Sequence, residues 1–285
     1  MTGWFVININ NHYFEKKLEE DYYERVKNDF QKYNINLEKY NNVDAQFLLL
    51  NGKKPDFCYY MDKDVNVTKK MENLGVRCFC SAEVIEICDD KSKSFNFLEK
   101  CGIPQPKTVF SPLLYKNEMD LEKFVDETIN YLGPNLVIKE CIGTCGNEVY
   151  LAIGKDAAIK KISEIKKPYI IQEQIVNSFG KDIRAHMIGN KLYGAILRES
   201  HNGDFRSNIG RGGTATLIDL DKDTINMCAK ICDELKSDFL GIDLLIDKDD
   251  YKVGEINSNS YYILDNNPLA KTYAEEVVKY IMEHI

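Results

Sequence analysis

A chain of 285 residues with a net charge of −8 is long enough for two or three packed lobes. Its acidic balance excludes a protein whose main task is coating nucleic acid, which needs a basic surface to displace phosphate counterions. No apolar run approaches the roughly 18 residues of a membrane-spanning helix, so any anionic ligand must be held by local cations in a chain that sits outside the bilayer.

The opening MTGWFVININ has neither a basic leader nor a small-residue cleavage site, and the expected location is the cytoplasm. From there, strand and helix signals alternate. WFVINI reads as a strand, a polar helix follows from about Glu15 to Tyr33, and strands are expected near Ala45–Leu50 and in FCYYM after Pro55. A short helix ending near Gly75, the strand VRCFC and a helix from Ser81 complete a βαβ rhythm, which predicts a parallel sheet covered by helices. No G-x-G-x-x-G follows the first strand, so this lobe is not expected to bind a dinucleotide and is better suited to seating a substrate.

A helix from Asp89 is stopped near Cys101 by Gly102 and Pro104, Lys107–Phe110 reads as a strand, and LVIK follows Gly133–Pro134. From about Lys167, runs such as YIIQEQIV, DIRAHMIG and KLYGAILR alternate with polar turns, which predicts an antiparallel sheet. A last helix is expected over Leu269–Glu283. The nine cysteines form no C-x-x-C pair, Cys141/Cys145 and Cys228/Cys232 each being separated by three residues. Reduced, mostly buried thiols are expected, and the histidines at 12, 186, 201 and 284 offer no general base.

Four segments carry candidate chemistry. VIKECIGTCGNEVYLA, residues 137–152, places Lys139 on a strand beside a loop with Gly143 and Gly146, where backbone N–H groups can close over a phosphate. An ordinary glycine hairpin with a solvated lysine fits that segment too. In IIQEQIVNSFGKDIR, Gln172–Glu173–Gln174 ends a strand where polar groups can meet an adenine edge, and Asp182 is either a ribose acceptor or a turn residue. LRESHNGDFRSNIGRGG, residues 197–213, gathers Arg198, Arg206 and Arg211 beside flexible backbone, suited to phosphate or carboxylate, although a solvated loop accounts for one or two of them.

The sharpest segment is GIDLLIDKDDYKVGEINSN, residues 241–259, which reads as a hairpin turning around Lys248–Asp250. Glu255 and Asn257 are two apart on a strand and share a face. If Leu244 and Ile246 lie opposite Gly254 and Lys252, Asp243 falls directly across from Glu255. Two carboxylates and an amide oxygen would then converge into a set suited to hard Mg²⁺ and too poor in Cys and His for zinc. An amphipathic hairpin with a wet face is the plainer alternative.

In this order, Lys139 with GTCG, then QEQI, KDIR, DFRSN, RGG and finally GIDLL with GEINSN, the chain resembles the RimK-like group of ATP-grasp ligases. The resemblance covers about residues 85–260 closely. It implies an α/β (α+β) ATP-grasp fold with an N-terminal parallel-sheet lobe over 1–88, a small central lobe over 89–166 and a C-terminal antiparallel-sheet lobe over 167–285 carrying the metal site. It also implies that Lys91 and Lys139 contact the ATP phosphates under a loop containing Gly143, Thr144 and Gly146. Gln172, Glu173, Gln174 and Ile175 would border the adenine, Asp182 the ribose, and Arg206, Ser207 and Asn208 the triphosphate.

By the same resemblance Asp243, Glu255 and Asn257 would bind two Mg²⁺ ions, with Mn²⁺ a substitute. Arg184 and Arg211, with Lys139 and Arg206, would serve catalysis on the substrate carboxylate. The implied activity is joining a carboxylate to the amine of an amino acid through an acylphosphate. Loops at Gly143–Asn147 and His201–Gly213 would act as lids, and a homodimer would suit the family. Where glutamate-adding members continue the metal motif as N-A-S-P-G, this chain has Asn257-Ser258-Asn259-Ser260-Tyr261, which puts glutamate itself in question. A small-molecule kinase using the same MgATP site, and a non-catalytic nucleotide-binding module, are the alternatives.

Overall fold

The computed structural model describes residues 1–9, 16–113, 119–143, 147–207, 213–248, 250–259 and 269–285. Its N-terminal sheet is parallel, as the βαβ rhythm predicts, with strands β1 (Thr2–Ile7), β2 (Asn36–Asn41), β3 (Phe57–Tyr60) and β4 (Arg77–Phe79) in the order β2-β1-β3-β4. Helices α1 (Lys16–Gln31), α2 (Asn42–Leu50), α3 (Val65–Asn73) and α4 (Ala82–Asp89) connect and cover it. β1 and β3 read as unbroken apolar runs because both of their faces are buried.

One expected strand is a helix. Ala45–Leu50 lies in α2, where Asn41 caps the first turn by accepting from the Asp44 N–H at 2.8 Å. Ala45 and Leu49, four apart, are its buried pair. The true second strand is the polar NLEKYN, an edge strand with one fully buried residue, which is why hydrophobicity passes over it.

α5 (Lys91–Lys100), capped by Asp90, leads to the central sheet of order β5-β8-β6-β7, with β5 (Thr108–Phe110), β6 (Asn135–Glu140), β7 (Val149–Ile153) and β8 (Tyr169–Glu173). Helices α6 (Leu121–Leu132) and α7 (Lys155–Glu164), absent from the sequence reading, pack with it around a small core of Val125, Leu136, Ile138, Ala158 and Ile171. YIIQE was expected in the C-terminal lobe beginning at 167, yet β8 pairs with β5 and β6. By sheet membership the passage to the C-terminal sheet falls after Glu173.

That last sheet is antiparallel, in the order β11-β10-β9-β12-β13, with β9 (Lys181–Ile188), β10 (Lys191–Glu199), β11 (Thr214–Ile218), β12 (Phe239–Asp247) and β13 (Asp250–Asn257). α8 (Lys222–Leu235), also missed by the sequence reading, and α9 (Ala270–His284) cover one face. Ile183, Ala185, Met187, Ile242, Leu244, Val253 and Ile256 point into a core continuous with that of the N-terminal sheet. Among the described residues no helix is long and apolar enough to cross a membrane, and eight unbridged cysteines are present, all but Cys101 buried.

Candidate active site

Strand alternation sends the other half of these residues to the opposite face. β9 presents Asp182, Arg184 and His186, β10 presents Arg198, β12 presents Asp243, and β13 presents Glu255 and Asn257. The pairing sets them side by side, with Arg198 across from Asp182, Arg184 across from Asp243, and Asp243 across from Glu255. The opposition of Asp243 and Glu255 is the one the hairpin pattern predicts. The rest of the expected register is not observed, because a bulge follows Asp243, and Leu244 lies opposite Val253 and Ile246 opposite Tyr251.

Gly254 is the extra residue of that bulge. A Cβ there would sit 2.8 Å from Leu245 Cγ, so only glycine lets the two strands close. The freed Gly254 carbonyl accepts from Lys139 Nζ at 3.3 Å, linking the bulge to the central sheet. Gly254→Ala is expected to push Leu245 into the cleft it lines and raise KM for ATP by about tenfold, at an overpacking cost of order 1–3 kcal/mol. An unchanged KM in a folded variant would remove Leu245 from the nucleotide wall.

The ion pairs on this face are short and shared. Arg184 binds Asp243 in a two-pronged contact at 2.6 and 2.7 Å. Arg198 binds Asp182 at 2.7 and 2.5 Å and reaches the second oxygen of Asp243 at 2.9 Å. Burial opposes the charge on Asp243, but the two guanidinium groups outweigh it and hold the carboxyl well below the usual range. Arg198 was grouped by sequence with the loop arginines; it is a strand residue with 5% of its side chain exposed. His186, beneath Arg184, is kept neutral by burial and by both arginines.

Across from this face stands the central sheet, and between the two sheets lies an open cleft. Its lining combines apolar Val137, Val149, Ile175, Phe179, Phe205 and Leu245 with charged Lys91, Lys139, Asp182, Arg198, Asp243 and Glu255. Gln172, Glu173, Gln174, Arg206 and Ser207 also line it. Glu173 spends its carboxylate on Lys252 Nζ at 2.9 Å and the Lys107 N–H at 3.0 Å, and its own N–H donates to the Lys107 carbonyl at 3.1 Å. Gln172 donates to Thr108 Oγ1 at 2.9 Å, while its Oε1 is buried with no hydrogen-bond partner, an acceptor suited to an exocyclic amine.

Lys91 Nζ lies 3.4 Å from both Glu255 Oε1 and the Gly143 carbonyl. Burial raises the cost of the Glu255 charge, but Lys91 and Lys139 leave its carboxyl below the ordinary value, although the open cleft leaves 34% of the side chain accessible. Arg206 is held by Asp204 at 2.8 Å within its own loop. Arg184, expected at the substrate carboxylate, has its guanidinium committed to Asp243. Thr144, Gly146, Asn208 and Arg211 lie outside the described residues.

Burial pushes the Lys139 ammonium down to about 8, with Glu255 opposing that shift and Lys91 adding to it. A triphosphate favours the protonated form, so affinity for MgATP should be highest below about pH 8 and fall as pH rises through that value. The decline should be lost in Lys139→Arg, whose charge persists at alkaline pH. Titration with a fluorescent ATP analogue across that range is the check, and flat binding by the wild type would contradict it.

The donor set suits a hard divalent cation. Among the described residues no group of three or more His, Cys, Asp or Glu converges on one point. Two carboxylates and the amide of Asn257, whose Nδ2 is buried without a hydrogen-bond partner, make an incomplete oxygen set. That is what Mg²⁺ takes when phosphate oxygens and water complete its shell. Lys91, Lys139, Arg184 and Arg198 outnumber Asp182, Asp243 and Glu255, an imbalance that a triphosphate corrects.

Comparison with known proteins agrees with this geometry. The chain is 34% identical over 201 residues to N-acetylaspartylglutamate synthase A of Homo sapiens, covering 70% of this chain and 50% of that protein. It is 29% identical over 224 residues to beta-citrylglutamate synthase B of Danio rerio, covering 78% and 54%. A probable alpha-L-glutamate ligase of Cellvibrio japonicus is 30% identical over 221 residues, covering 76% and 71%. The chain therefore spans about half the length of the first two relatives. In fold it is similar to D-alanine–D-alanine ligase of Bacillus anthracis complexed with ATP, with a TM-score of 0.76 and 19% identity, covering 99% of this chain and 96% of that one. A RimK domain ATP-grasp protein of Sphaerobacter thermophilus gives a TM-score of 0.69 at 13% identity, with coverage of 99% and 100%. The model of the RimK-like ATP-grasp domain matches residues 88–281, and with those residues carrying the cleft, both lysines and the metal-type hairpin, the chain belongs to the RimK-like ATP-grasp family.

Proposed function

We propose that this protein is an ADP-forming carboxylate–amine ligase that joins an amino acid to a carboxylate acceptor through an acylphosphate. The observation that carries the reading is the placement of Asp243 against Glu255 on one wall of a cleft whose facing side brings Lys91 and Lys139. The relatives, two named as synthases of glutamate-containing compounds and one as a probable alpha-L-glutamate ligase, favour an amino acid of that class as the amine.

A carboxylate is a poor electrophile, and phosphorylation turns one of its oxygens into a good leaving group. The protein's task is then alignment and charge neutralisation. The apolar side chains of the cleft receive the base, Gln172 Oε1 takes its amine, and Asp182 faces the ribose. Lys91 and Lys139 hold the phosphates from the central-sheet side, with Arg206 and Ser207 at the rim. Asp243, Glu255 and Asn257 would hold Mg²⁺, which, when bound with ATP, neutralises charge on the transferring phosphoryl group. Arg184 keeps Asp243 aimed at that point.

The test is an ADP-release screen crossing amino acids with carboxylates, with products read by mass spectrometry. ADP formation that requires both partners, with a product at their summed mass less one water, is expected. ADP formation satisfied by a hydroxyl acceptor alone would replace the ligase with a kinase.

A further inference from the structure

A parallel sheet of order β2-β1-β3-β4 reverses direction between β1 and β3. The chain leaves β1 toward one edge and returns to β3 on the other side, so the segments following these two strands diverge. The crevice left at their carboxyl ends is where open α/β sheets bind ligands. The sequence places Asn8 directly after β1 and Asp62–Lys63 just beyond β3, after Met61.

Asn8 Nδ2 donates to both oxygens of Asp62 at 3.1 Å, and the Asp62 carbonyl accepts from Asn259 Nδ2 at 2.9 Å. Asn259 lies two residues beyond Asn257, so the floor of the crevice is bonded to the end of the strand that carries Glu255 and Asn257. Beside it, Lys63 Nζ meets Asp89 Oδ1 at 2.7 Å, while Asp89 Oδ2 is buried and has no hydrogen-bond partner among the described residues. Asp89 precedes by two residues Lys91, the lysine 3.4 Å from Glu255. Neither Lys63 nor Asp89 lines the nucleotide cleft. They flank Glu255 from the N-terminal sheet.

Burial works against both charges, and it leaves the Asp89 carboxyl above its ordinary value even though Lys63 opposes the shift. Burial works against the Lys63 ammonium, but Asp89 more than restores it, and Glu255 adds to the effect. Side-chain exposures of 24% and 16% leave part of each group accessible, although Asp89 Oδ2 itself is buried. A purely structural pair in so dry a place would gain by giving Asp89 Oδ2 a donor, since each unmet hydrogen bond at a buried charge is costly. A free α-amino acid carries the complementary pair, a carboxylate and an amino group on one carbon.

We propose that Lys63 and Asp89 form the seat of the amine-bearing substrate, a free α-amino acid, with Lys63 holding its carboxylate and Asp89 Oδ2 accepting from its amino group. This rests on the ligase reading above and adds the residues, and the lobe, that select the amino acid. The seat brings the amine to the Glu255 side of the site, next to the carbon it attacks. It also gives the N-terminal sheet a task other than nucleotide binding.

The experiment compares L-glutamate with its α-carboxamide as amine in the ADP assay, extended to the other standard amino acids and their amides. Wild type should prefer the free acid, and Lys63→Met should lower kcat/KM for the acid by roughly 30-fold or more. The same variant should leave the amide nearly unaffected and KM for MgATP unchanged. Asp89→Asn, which keeps the volume, should raise KM for both amines. Retention of the acid preference in Lys63→Met, or an equal loss toward MgATP, overturns the seat.

Absence of ADP release by wild type with any amino acid overturns the ligase reading separately. Thermal stabilisation by L-glutamate in the presence of a non-hydrolysable ATP analogue then decides about the seat itself. Stabilisation lost in Lys63→Met supports it; stabilisation unchanged, or absent in wild type, does not.

Discussion

Glu255→Gln should lower kcat by about 10²–10³-fold with little change in melting temperature, a loss of the size produced by removing one group that stabilises transition-state charge. Among the described residues its carboxylate has only Lys91 within ion-pair distance, and it remains partly accessible, so the fold does not depend on it. Asp243→Asn should show the same kinetic loss together with a drop in stability, because Asp243 is bonded to both Arg184 and Arg198. The sequence alone suggests that either substitution would leave the fold intact; the arginine clamp separates the two. ADP formation paired with thermal melts reads out both effects. Normal amide formation by a folded variant altered at both positions would refute the metal assignment.

Arg198→Met should destabilise the protein by about 3–5 kcal/mol, the cost of leaving buried carboxylates without their partner. Asp182 would lose its two-pronged contact entirely and Asp243 one of its two arginines. Because the folded Asp243 carboxyl sits below its unfolded value, the stability it contributes is present above about pH 4 and is lost as pH falls below that. The difference between wild type and Arg198→Met should therefore narrow in acid. Denaturant unfolding at neutral and acidic pH measures both; a variant as stable as wild type at neutral pH would mean the pair is solvated.

How much of this was legible depends on range. The β12–β13 hairpin shows in the sequence because apolar residues alternate with Asp243, Glu255 and Asn257 over adjacent runs. Its bulge was signalled only by a glycine inside a strand, and that signal was passed over. The Leu48–Leu50 run misled because a short apolar stretch has no period of its own, whereas the Asn41 cap was readable. Arg198 was misgrouped because its partner Asp182 lies on a neighbouring strand that only the register identifies. The link between Arg184 and Asp243 spans 59 residues and follows from no local pattern. The Lys63–Asp89 pair was invisible for the same reason, since strand order, not spacing, brings it to the metal-bearing strand.

The double arginine clamp on Asp243 also bears on the sequence in which ligands arrive. A bare divalent ion approaching the empty cleft meets a carboxylate whose charge two guanidinium groups have already cancelled, so its solitary affinity should be poor. A nucleotide reverses that situation, since its phosphates offer the arginines and lysines new partners and bring the ion along already half coordinated. Ion and nucleotide are thereby coupled, each strengthening the other's hold by the same factor, and the protein takes up its cation as part of a complex.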